Sequence, residues 1–81
     1  MILSKAFKKL GCDSTSYRYR KGFGYTVEGF LKGQIVFRAS KPSDDVFYTV
    51  WRIDGDYSVE IAKLRGHEAQ KLLKTQRRLD Q

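Results

Sequence analysis

The sequence is poor in the residues that build covalent or metal-bound frameworks. It has one cysteine, Cys12, one histidine, His67, one proline and one tryptophan. A lone cysteine excludes an intrachain disulfide and a thiolate metal cluster. With a single histidine far from it in sequence, no zinc ligand set is legible, and no metal or other cofactor is expected. His67 is expected on the surface at a helix start. Long apolar runs are missing too. None approaches the ~18 residues of a membrane span. Met-Ile-Leu-Ser-Lys-Ala-Phe-Lys-Lys lacks the apolar core of a signal peptide. The expectation is a cytoplasmic protein with a reduced thiol and no membrane partner.

Acidic residues are scarce, at 9 against 16 lysines and arginines, which leaves a net charge of +7. The surplus is polarised. Residues 1–21 carry six basic and one acidic side chain, residues 22–62 four and six, and residues 63–81 six and two. The ends are therefore basic and the middle slightly acidic. Such polarity points to an anionic partner. The hydrophobic content of 41% argues against disorder. At 81 residues the chain makes one domain, 1–81. Chains of this size bury only about 60% of their unfolded surface, so self-association as a homodimer is open.

The clearest local signal spans Val46 to Ala62. Two alternating β-branched and aromatic runs flank Asp54-Gly55, a strong hairpin signature. With Asp54 and Gly55 as the central turn residues, Val50 faces Val59 and Tyr48 faces Ile61. Val46, Tyr48, Val50, Tyr57, Val59 and Ile61 then form one apolar face, to be buried. Phe47, Thr49, Trp51 and Ile53 share the other face, with Trp51 opposite Ser58 and Phe47 opposite Ala62.

Upstream, Ile2, Leu3, Ala6, Phe7 and Leu10 recur at helical spacing and Gly11 is a natural stop. Cys12 to Ser16 reads as loop, and Tyr17-Arg18-Tyr19-Arg20-Lys21 as a short strand. Tyr25–Leu31 and Gln34–Ala39 read as a hairpin turning at Lys32-Gly33. A bulge near Glu28-Gly29 is expected to bring Phe30 to the core. Lys41 to Asp45 is a loop. After Arg65-Gly66-His67, Ala69, Leu72, Leu73 and Gln76 take up helical spacing, and His67, Lys71, Lys74 and Arg78 form a separate stripe. Leu79 is expected to fray. The predicted fold is α+β: an antiparallel four- to five-stranded meander with the N- and C-terminal helices on one face.

Enzyme chemistry finds little support. No serine or cysteine pairs with a base by spacing. Gly22-Phe23-Gly24 is followed by a strand pattern, whereas a phosphate loop needs a helix N-terminus. Asp54-Gly55-Asp56 is too short for a calcium loop of about twelve residues. Asp44 or Asp45 with Glu60 and Lys63 resembles the acids and lysine of metal-dependent nucleases. Simple alternation, however, puts Glu60 and Lys63 on opposite faces. No small-molecule substrate is implied.

The basic and aromatic residues carry the functional expectation. Arg18, Arg20 and Lys21 beside Tyr17 and Tyr19 combine cations with stacking rings, as single strands and RNA loops require. Lys71, Lys74 and Arg78 could follow a phosphate backbone. All three basic segments are expected on the helix side or its edge. The leading expectation is a non-enzymatic DNA- or RNA-binding protein. The rival is a protein-interaction module, an inhibitor or adaptor, with Phe47, Trp51 and Ile53 as its exposed sheet-face anchors.

The order of elements resembles that of double-stranded RNA-binding domains. The last hairpin and helix resemble the arm-binding domains of phage integrases. The loop residues that mark the first family are absent, and an acidic sheet opposes sheet-in-groove binding of the second kind. Both are likenesses of fold, which do not carry function.

Overall fold

Leu3, Ala6, Phe7 and Leu10 share one helical stripe and are all buried in the computed structural model, which describes residues 2–76. Leu3, Ala6 and Phe7 belong to α1 (Ile2–Lys9), with Lys8 and Lys9 in its last turn and Leu10 directly after it. The helix stops as its glycine dictates. Gly11 has φ +113. The Cys12 N–H donates to the Phe7 carbonyl at 3.2 Å and the Gly11 N–H to Lys8 at 3.1 Å. That pair of bonds closes the helix end and satisfies its orphan carbonyls.

Five strands follow: β1 (Ser14–Arg20), β2 (Gly24–Leu31), β3 (Gln34–Lys41), β4 (Phe47–Asp54) and β5 (Tyr57–Arg65), then α2 (Gly66–Lys74). The sheet order is β1-β2-β3-β4-β5, every pair antiparallel. α1 lies over β1 and β2, α2 lies over β4 and β5, and the helices touch each other. Their stripes meet Val27, Phe37, Ala39, Tyr48 and Val50 in one core. Phe7 stacks on Phe37 with centroids 5.2 Å apart. The α+β meander with both helices on one face is thus the observed architecture. β1 is longer than the sequence suggests, reaching back to Ser14 through the stretch read as loop.

The β2–β3 hairpin turns at Lys32-Gly33, both with positive φ, and closes on Leu31 opposite Gln34. The β4–β5 hairpin departs from expectation. Asp54 pairs with Tyr57, so the central residues are Gly55 and Asp56. Gly55 has φ +60 and Asp56 does not share that sign. A glycine at the first central position is the signature of a type II′ turn, where a type I′ turn needs both residues positive.

Two bulges then reset the faces. In β5, Trp51 opposes Glu60 while Val50 opposes Ala62, so Ile61 is the extra residue. Tyr48 opposes Leu64, not Ile61, and Phe47 opposes Arg65, not Ala62. The expected burial of Val59 is wrong, because the shifted turn sets it opposite Arg52 rather than Val50: it is 63% exposed, Tyr57 is 79% exposed and Val46 lies in solvent. Ile61 and Leu64 pack at the edge of the core instead. In β3, Gly29 opposes Phe37 while Phe30 opposes Ile35, so Val36 is the extra residue. The expected bulge exists, but on β3. It brings Val36, not Phe30, against the core. Gly29 faces α1, where an added Cβ would lie 2.7 Å from Cys12 Sγ.

Candidate nucleic-acid interface

The face of the sheet away from the helices carries a built arrangement. Register sets Ser16, Glu28, Arg38, Trp51 and Glu60 in one row across all five strands. The next row is Arg18, Thr26, Ser40, Thr49 and Lys63. Glu28 is only 8% exposed. A buried carboxylate is tolerated when it is paired and hydrogen-bonded. Arg18 Nη2 donates to Glu28 Oε1 at 2.9 Å, and Arg38 Nη2 to Oε2 at 3.2 Å. Ser16 Oγ lies 3.5 Å from Oε1. One carboxylate thereby holds two guanidiniums side by side. Both arginines remain substantially open to solvent, and each planar group keeps further N–H donors for a ligand.

These arginines wall a cleft of about 550 Å³, completed by Thr26, Ser40, Trp51, Ile53 and Ser58. A smaller depression of about 190 Å³ adjoins it, sharing Arg18 and Thr26 and adding Arg20, Phe23 and Gly24. There the Arg20 guanidinium sits 4.7 Å from the Phe23 ring centre, and Phe23 is highly exposed. At the far end of the sheet the Arg65 guanidinium sits 5.8 Å from the Phe47 ring centre.

Charge on this face reverses the sequence expectation of an acidic sheet. Arg18, Arg20, Arg38, Lys63 and Arg65 share it with two carboxylates, Glu28 and Glu60. The middle segment's aspartates fall elsewhere: Asp44 and Asp45 in the β3–β4 loop, Asp54 and Asp56 at the β4–β5 turn. The Ile61 bulge also overturns one parity argument, because Glu60 and Lys63 share the open face. Among the described residues no three of His, Cys, Asp or Glu come together as a metal-ligand group. No described helix is long and apolar enough to cross a membrane.

The expected binding residues are divided between layers. Arg18 and Arg20 lie on the open sheet face, with exposed Lys21 in the turn that follows. Lys71 and Lys74 are exposed on α2, in the other layer. They do not converge on the helix side as expected, because β1 alternates. Its arginines face one way and Tyr17 and Tyr19 the other, where both rings meet Tyr25 at 6.0 and 4.8 Å. Arg78 lies outside the described residues, as does Leu79. Of the expected protein-interface residues, Phe47 is 38% exposed and Trp51 is half-buried, but Ile53 is buried. Trp51 stands between Arg38 and Glu60 across the sheet. The sequence reading missed Arg38, Glu28 and Thr26. Arg38 had one visible signal, its parity opposite to Phe37 and Ala39.

Cys12 is no nucleophile in this setting. Its thiol is buried beneath α1, and burial pushes its pKa from 9.0 up to about 11, with Asp13 adding to the rise and Arg52 opposing it. A thiol held protonated is inert, so native protein should resist iodoacetamide at pH 8 while urea-unfolded protein reacts. The raised pKa also sets a stability window. The contribution is present in full below pH 9 and is lost as pH rises towards 11, where the unfolded chain ionises and the folded one does not. The loss is about 2–3 kcal/mol. Burial raises the Tyr48 hydroxyl as well, with the same sign. Urea unfolding at pH 8 and 11 should show the decline, and Cys12→Ala should flatten it.

Comparison of the chain with protein-family models, with curated proteins and with solved structures finds no significant match.

Proposed function

We propose that the protein is a small non-enzymatic nucleic-acid-binding module whose open sheet face takes the phosphates. The observation that carries this reading is the Arg18–Glu28–Arg38 arrangement, set in a face of five cations and two carboxylates. Arginine matches phosphate with a planar fork of donors. A carboxylate that fixes two such forks in advance lowers the ordering cost of binding. The helix stripe has no comparable device, since neither Lys71 nor Lys74 has a described partner.

The test is fluorescence anisotropy with labelled mixed-sequence DNA and RNA oligomers over a range of salt. Binding should weaken as salt rises, by about 0.7–0.9 in the logarithmic slope per phosphate contact. Arg18→Ala with Arg38→Ala should lower affinity at least tenfold and flatten the slope by one to two of those contacts. Lys71→Ala with Lys74→Ala should leave the slope in place. No binding at low salt, or a full slope in the arginine double variant, refutes the proposal. A protein that binds no oligomer but sediments as a dimer would support the rival interface at Phe47 and Trp51.

A further inference from the structure

We infer that the ligand of this face is single-stranded, with one unpaired base seated in the cleft against Trp51 and its flanking phosphates on Arg18 and Arg38. The inference rests on the nucleic-acid reading above and narrows it. The cleft is amphipathic. Half-buried Trp51 and buried Ile53 supply its apolar lining, and Arg18 and Arg38 its charged lining. Trp51 and Arg38 are direct cross-strand neighbours, so ring and cation are held a strand apart. The hydroxyls of Thr26, Ser40 and Ser58 line the same space, and none bonds to another described residue. Apolar lining beside unengaged polar groups is the pattern of a site that orients one ligand. The volume of about 550 Å³ falls within the range of small-molecule sites, about 300–1,000 Å³.

The recess decides between strand classes. Bases in a duplex are stacked and paired, and present only their edges to a protein. A base can lie flat on an indole only after leaving its stack. The adjoining depression extends the track. Arg18 and Thr26 border both spaces, and beyond them Phe23 offers a second, exposed ring beside Arg20. A strand crossing β4 to β1 meets ring, cation, cation, ring.

Trp51 is the sole tryptophan, so its emission reports on the cleft alone. The experiment titrates the full chain with eight-nucleotide oligo(dT) and oligo(U), and with a hairpin duplex of eight base pairs. Anisotropy and tryptophan emission are read together. The expected result is tighter binding of the single strands by tenfold or more, with a change in Trp51 emission. Trp51→Ala should weaken single-strand binding roughly 5- to 150-fold, the worth of one stacked base, and leave duplex binding unchanged. Trp51→Phe, which keeps a ring, should recover most of the affinity. The wild-type emission change holds the test open should Trp51→Ala fail to fold. Equal binding of duplex and single strand, or binding with no emission change, overturns the single-strand inference while the nucleic-acid reading stands. Failure to bind any of the three at low salt overturns both.

Discussion

Gly24→Ala should destabilise the protein by at least about 3 kcal/mol. Gly24 opens β2 at φ +108, a conformation that L side chains rarely adopt. A methyl group there would overlap the Lys41 carbonyl oxygen and lie 2.8 Å from both Pro42 C and Ser43 N. All three are backbone atoms, so no rotamer change relieves the contact. The chain must either pull β2 from the end of β3 or lose the Arg20–Gly24 pairing that closes the β1–β2 connection. Domains of this size have roughly 4–12 kcal/mol in total, so the loss is a large fraction. The control is Gly22→Ala, at φ +84 with nothing near a new Cβ. It carries the backbone penalty alone, about 1 kcal/mol. Urea midpoints of the two variants give the comparison. Equal midpoints would mean that β2 does not approach Lys41 and Pro42 this closely. Gly24 also borders the depression beside Phe23, so oligonucleotide binding should fall in step with the folded fraction.

Phe7→Ala should cost about 3–5 kcal/mol, the range for a large ring removed from a closed core. The side chain is fully buried. It stacks within 8° of parallel on Phe37 and packs where Gly29 leaves room. α1 has eight residues, too few to persist by itself in water. The ring is the largest of the side chains that hold α1 to the sheet, and its loss should free the helix ahead of the strands. Hydrogen exchange would show this as lost protection in α1 amides with the β3–β4 amides still protected. A cost under about 1 kcal/mol would place the core's centre elsewhere, at Leu73 and Val50. The clamp at Glu28 lies on the opposite face, so the folded fraction of the variant should keep its affinity for oligonucleotides.

The sequence by itself determined the elements and their layering. Leu3, Ala6, Phe7 and Leu10 at helical spacing, Gly11 as a stop, and Ala69 and Leu73 in the last helix are local patterns, and each reads the same in the fold. Lys32-Gly33 was legible as a hairpin because a two-residue turn with two positive φ values is set by its own residues. Two apolar helix stripes and one strongly apolar sheet face leave a single economical layering.

The functional face was decided only by tertiary structure, through two inserted residues. Side chains on a strand alternate with a period of two, so one extra residue moves everything beyond it to the other face. Carrying the Leu31–Gln34 pairing straight back would set Glu28 opposite Phe37. The bulge at Val36 sets it opposite Arg38 and makes the two-arginine clamp. The bulge at Ile61 sets Leu64 opposite Tyr48 at the core and brings Lys63 onto the open face beside Glu60. Neither position is marked by turn chemistry. Segment charge sums fail for the same reason, since they add aspartates in loops to arginines on a face. The β3 bulge falls next to the place where Gly29 yields its Cβ space to Phe7 and Cys12. That contact joins residues 17 or more apart in the chain, and no local pattern records it.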